Sequence, residues 1–142
     1  VLQIQEEQYK LIKMSCNKIN LPVLYLPLNE TSPILKGDTL KDIEFEILTG
    51  PENNQIPINL TGATIRIDFI NSKFSNIHYL LSSTTNNITI TDAVNGLFKI
   101  NSISRLDWKA GIYIGDLEFT FSDNTRTTYC IIELTVTEDI TK

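Results

Sequence analysis

Between Lys41 and Thr137 this chain keeps time in twos. In "KDIEFEIL" (41–48) Ile43, Phe45 and Ile47 fall on one side, and Asp42, Glu44 and Glu46 on the other. "PINLTGATIRIDF" (57–69) opens as a polar corner and then repeats the pattern, with Ile65, Ile67 and Phe69 opposed to Thr64, Arg66 and Asp68. That period belongs to a strand with one dry and one wet face; a helix does not reproduce it. "ITIT" (88–91), "LFKI" (97–100), "GIYIGDLEFTF" (111–121) and "RTTYCIIELTVT" (126–137) continue the series, and a strand at 77–81 is less well patterned. "GPENNQ" (50–55) reads as a loop. Strands at this spacing, with no helical periodicity between them, predict a sandwich or a barrel.

The composition agrees. Ile occurs 21 times, Thr 16 times and Val 4 times, and such β-branched side chains suit a pleated surface better than a helix. A length of 142 residues predicts one domain with a real core. A formal charge of −5, with only 12 scattered basic residues, argues against nucleic acid, whose binding needs clustered Lys and Arg. No apolar run approaches the roughly 20 residues that span a bilayer, so no membrane partner and no signal peptide are expected. Of the two cysteines, Cys16 and Cys130, the second occupies an inward strand position and reads as a buried thiol.

Alternation also sets register. In "FTFSDNTRTTYC" a two-residue turn at Asp123-Asn124 pairs Phe119 with Thr128, Leu117 with Cys130, Gly115 with Ile132 and Tyr113 with Leu134, which gathers the apolar residues on one face. In "ITITDAVNGLFKI" a tight Asn95-Gly96 turn leaves Ile90 facing Asn101. A loop from Asp92 to Gly96 pairs Ile90 with Phe98 and Ile88 with Ile100 instead, with Gly96 left-handed.

Residues 1–28 differ in kind and are expected to form an arm ahead of a sandwich over 29–142. Leu2, Tyr9, Ile12, Cys16 and Ile19 fall at heptad spacing, so 3–18 is expected as a short amphipathic helix. In "LPVLYLPL" (21–28) Pro22 and Pro27 favour an extended arm or an edge strand. An arm this apolar must cover something, which makes Leu2, Tyr9, Ile12, Leu24, Tyr25 and Leu26 candidate partner-binding residues.

Chemistry finds little purchase. His78 is the sole histidine and has no nucleophile signature beside it, so a structural role is expected and no catalytic residue is assigned. One His and two distant Cys do not make a closed zinc set, the acidic residues alternate with core positions as a solvated face would, and the six glycines form no phosphate cradle; no metal or cofactor is expected. Carbohydrate is the rival ligand, with Tyr25, Tyr79, Trp108 and Tyr129 as stacking candidates, although Trp108 reads better as packing over the end of the sandwich. The last hairpin's outward face carries Ile112, Ile114, Tyr129 and Ile131 among Asp116, Glu118 and Glu133. Apolar residues on a wet face predict contact with the arm or with another subunit.

Several segments have an order of their own: "LKGDTLKDIEFEI", "PINLTGATIRIDFI", "ITITDAVNGLFKI", "AGIYIGDLEFTFSDNTR" and "LTVTEDIT". Over about 35–141 this resembles the N-terminal domain of the phage baseplate upper protein family. The resemblance implies an all-β, immunoglobulin-like sandwich of about seven to eight antiparallel strands. It also implies a non-enzymatic structural or adaptor role in the virion, in a baseplate or a capsid-attached fibre. Partners would be other virion proteins and further copies of the chain, as a trimer or higher oligomer. The matching positions are turn and core residues, among them Gly37, Gly62, Gly96, Gly111, Tyr113 and Asp123; the family offers no catalytic residues to transfer.

Overall fold

The computed structural model describes residues 2–4, 11–15, 23–26, 34–51 and 53–138. The strands in chain order are β1 (Leu2–Ile4), β2 (Leu11–Ser15), β3 (Val23–Leu26), β4 (Ile34–Leu35), β5 (Ile43–Thr49) and β6 (Ile56–Pro57). After these come β7 (Thr64–Asn71), β8 (His78–Ser82), β9 (Ile88–Asp92), β10 (Leu97–Ile100), β11 (Gly111–Thr120) and β12 (Arg126–Thr137). They form two sheets. The first runs β1-β2-β5-β10-β9 with β6 also on β5; the second runs β3-β12-β11-β7-β8 with β4 also on β12.

Taken without β1 to β3, the order β5-β10-β9 facing β12-β11-β7-β8 is that of an immunoglobulin-like sandwich. The alternating residues close the space between the layers. Phe45 stacks on Phe98 within the first sheet at 4.8 Å, and Phe98 meets Phe119 of the second edge-on at 5.5 Å. Ile65, Ile67, Leu117, Ile132 and Leu134 fill the same buried cluster. Such burial stabilises by roughly 25 cal/mol per Å² of apolar area.

At the sandwich end Trp108 is buried as expected, stacked on Tyr79 and edge-on to Tyr113. The Tyr113 hydroxyl donates to the Lys109 carbonyl four residues upstream, the tyrosine corner that pins the entry into β11 in such sandwiches. Burial raises the pKa of Tyr113 above its ordinary value, opposed by the neighbouring Asn71 amide. The buried Asn71 Nδ2 itself has no hydrogen-bond partner among the described residues.

Two expectations need correction. The first is the helix over 3–18: residues 2–4 and 11–15 are strands, and the remainder of that span lies outside the described residues. A helix of two heptads is marginal alone. The open edge of β5 gives β2 backbone partners instead, in parallel register from Leu11↔Glu44 to Ser15↔Leu48. The edge strand expected within 21–28 is present as β3, parallel to β12 from Ile131↔Val23 to Leu134↔Leu26. Parallel pairs therefore join an otherwise antiparallel framework.

The second correction concerns the last hairpin. Tyr113↔Leu134, Gly115↔Ile132 and Leu117↔Cys130 pair as expected, but Phe119 meets Thr127 rather than Thr128. The turn is a residue longer than expected: Phe121 N–H donates to Thr125 O across Ser122, Asp123 and Asn124. A bulge beside Leu117/Glu118 leaves Tyr129 as the additional residue on β12. Tyr129 and Cys130 then both face inward, and Tyr129, only 8% exposed, meets Phe119 edge-on at 4.9 Å.

Candidate docking face

The outer face of the second sheet collects what the core does not take. Register sets its side chains in rows. Ile70 lies between His78 and Ile114, and Ile114 pairs onward with Glu133. In the next row Leu80 pairs with Asp68, and Asp116 with Ile131. Continuing the printed β7–β11 register from Ile114↔Ile70 to Leu117↔Ile67 sets Asp68 opposite Asp116. Arg66 and Glu118 face each other in the row after that.

Ile70, Leu80, Ile112 and Ile114 are each between 41% and 46% exposed, and Ile70 pairs with Ile114 across the strands. A cluster of this kind on a rigid sheet is a feature of surfaces that meet other surfaces. Around it, His78 Nδ1 and Asp68 Oδ1 pair at 2.9 Å, so the histidine is tied to a carboxylate on the wet side. Neither Arg66 nor Glu118 takes an ion-pair partner among the described residues. Beneath the face, burial together with the charge of Asp116 pushes the Cys130 thiol up to about 12, as suits a thiol inside a core.

Of the expected partner-binding residues, Ile112 and Ile114 lie exposed on this face and Ile131 is half-buried on it. Tyr129 is not there, for the bulge has turned it inward. Leu24, Tyr25 and Leu26 lie on β3, which borders the face along β12; Leu2 and Ile12 lie on β1 and β2 in the other sheet. Tyr9 lies outside the described residues. Ile70 and Leu80 complete the cluster without having been singled out. The outward position of Ile70 follows from the phase of Thr64, Arg66 and Asp68. Leu80 follows from no such phase, because Leu80 and Leu81 are adjacent and alternation does not say which is inside.

Three of the four candidate sugar platforms are engaged in packing: Trp108 and Tyr129 are buried, and Tyr79 is half-buried against Trp108. No group of three His, Cys, Asp or Glu side chains is placed to hold a metal ion among the described residues. No helix there is long and apolar enough to cross a membrane.

These features define a β-sandwich with an exposed apolar cluster on one outer face and extra strands on two of its edges. No protein-family model matches the sequence, and comparison with curated proteins finds no match.

Proposed function

We propose that this chain is a non-enzymatic structural and adaptor protein of a phage virion, belonging to a baseplate or a capsid-attached fibre. The observation that carries the docking part is the exposed Ile70, Leu80, Ile112 and Ile114 on a sheet whose other side is core. A rigid sheet holds such a face in shape with no backbone to order on binding, which is what a connector needs. The virion assignment draws on the order of turn and core motifs along residues 35–141. Those motif positions have structural uses here: Gly62 and Gly96 adopt positive φ at corners, and Tyr113 makes the tyrosine corner.

In this reading the sandwich is a spacer of fixed shape and its outer face seats another virion protein. No bond is made or broken. The test is mass spectrometry of purified virions from the genome that encodes the chain, with chemical cross-linking before digestion. The chain is expected in intact particles, with cross-links from the β7–β8 and β11–β12 segments to a structural protein. Its absence from particles would overturn the reading.

A further inference from the structure

The outer face of the second sheet has a symmetry of its own. Across the line between β7 and β11, most mirrored positions carry residues that would suit one another if they met from opposite sides. Ile70 mirrors Ile114, Leu80 mirrors Ile131, His78 mirrors Glu133, and Arg66 mirrors Glu118. We propose that this face pairs with the same face of a second copy, about a two-fold axis that runs along the strands between β7 and β11.

The geometry follows from that operator. A half-turn about such an axis exchanges β7 with β11 and β8 with β12 while leaving each row in place. Ile70 of each copy then lies over Ile114 of the other, and Leu80 over Ile131. Arg66 meets Glu118 twice, once in each direction, as a self-complementary interface requires. Both of these groups lack an ion-pair partner among the described residues of one chain. A two-fold running across the strands through the Asp68–Asp116 row would set Ile70 over Arg66 and Ile114 over Glu118, burying apolar side chains against unpaired charge. The chosen axis has one mismatch, Asp68 over Asp116, and there Asp68 already has His78 at 2.9 Å within its own chain.

This inference rests on the docking reading of the same face and names its partner; the two fail separately. A chain that binds only a different virion protein would satisfy the proposed function and contradict the present claim.

The test uses the full chain in solution. Light scattering up to about 1 mM chain, a range that reaches weak complexes, is expected to show mass rising from 16.1 kDa toward twice that value. Ile70→Lys and Ile114→Asp are each expected to hold the chain at the monomer mass while leaving the β-sheet circular dichroism intact, since both sites are exposed. Mixed in equal amounts, the two variants are expected to regain association, because Lys on one chain then lies over Asp on the other. A wild-type chain that stays monomeric overturns the proposal. So does association that survives either substitution, which would place the interface elsewhere, on the N-terminal strands for example. Loss of association in both variants without recovery on mixing would overturn the proposed register.

Discussion

Two hairpins in this sandwich contain a residue at the same left-handed backbone angle and treat it differently. In the β9–β10 hairpin it is Gly96, with φ of 69°; in the β11–β12 hairpin it is Asn124, also at 69°. The angle alone therefore does not demand glycine, for Asn tolerates it at modest cost. What demands glycine at 96 is proximity. A Cβ there would lie 2.7 Å from the Ile47 carbonyl oxygen and 2.9 Å from that of Ile58, both backbone atoms that cannot step aside. Asn124 stands in an exposed turn where its side chain has room. One corner is packed into the first sheet and the other is a tip in water.

The hairpins differ again in how they hold register. β9–β10 pairs Ile90 with Phe98 and Ile88 with Ile100, with its irregularity confined to Leu97 at the loop end. β11–β12 takes up an additional residue in mid-strand, at Tyr129, and the bulge restores the inward phase for Cys130, Ile132 and Leu134. A longer pairing can absorb such a fault because the ladder continues on both sides of it.

Breaking the packed corner should have the largest effect. Gly96→Ala is expected to cost about 4 kcal/mol, from backbone clash added to strain, seen as a fall in the denaturant midpoint. Next comes the bulge. Tyr129→Ala removes a ring from the core beside Phe119 and should cost about 3 kcal/mol in the same measurement; a loss below about 0.5 kcal/mol, the usual range for surface sites, would mean the ring faces water after all.

A smaller effect concerns Cys130. Its folded pKa is raised, so its contribution to stability is complete below the unfolded thiol value of about 8.5 and is lost as pH rises through about 12. Unfolding followed from pH 8 to pH 11 should show declining stability that Cys130→Ala flattens. At pH 8 the Cys130 peptide should escape thiol labelling in the native protein and take it up in urea, read by mass spectrometry. The smallest change is at the exposed tip: Asn124→Gly should alter stability by less than about 0.5 kcal/mol, because relief of the left-handed angle is offset by a freer unfolded chain. Were Gly96→Ala as mild as Asn124→Gly, the distinction between the corners would be lost.

Much of the body was legible beforehand, and particular residues show why. Phe45, Ile65, Ile67 and Leu117 alternate with charged or hydroxyl residues, so their side of the strand follows from phase alone. The same phase exposed Ile112 and Ile114 as apolar residues on a wet face. It failed at Tyr129, because a bulge resets the phase and leaves no sign in residue type. It failed at 3–18 for another reason. Heptad spacing describes which residues could share a helix face, but it does not register that β5 has an open edge some thirty residues further along.

Alternation, glycine placement and β-branched composition determined by themselves that the chain forms strands, which side of most strands is dry, and that Gly96 closes a corner. These are local matters, set by backbone sterics and by the two-residue period of a strand. Only the tertiary structure decided that the leading strands attach in parallel to β5 and β12, that Tyr129 turns inward, and that Ile70 and Leu80 join Ile112 and Ile114 on one face. Each of those depends on pairing between residues remote in sequence, whose energies no local pattern records.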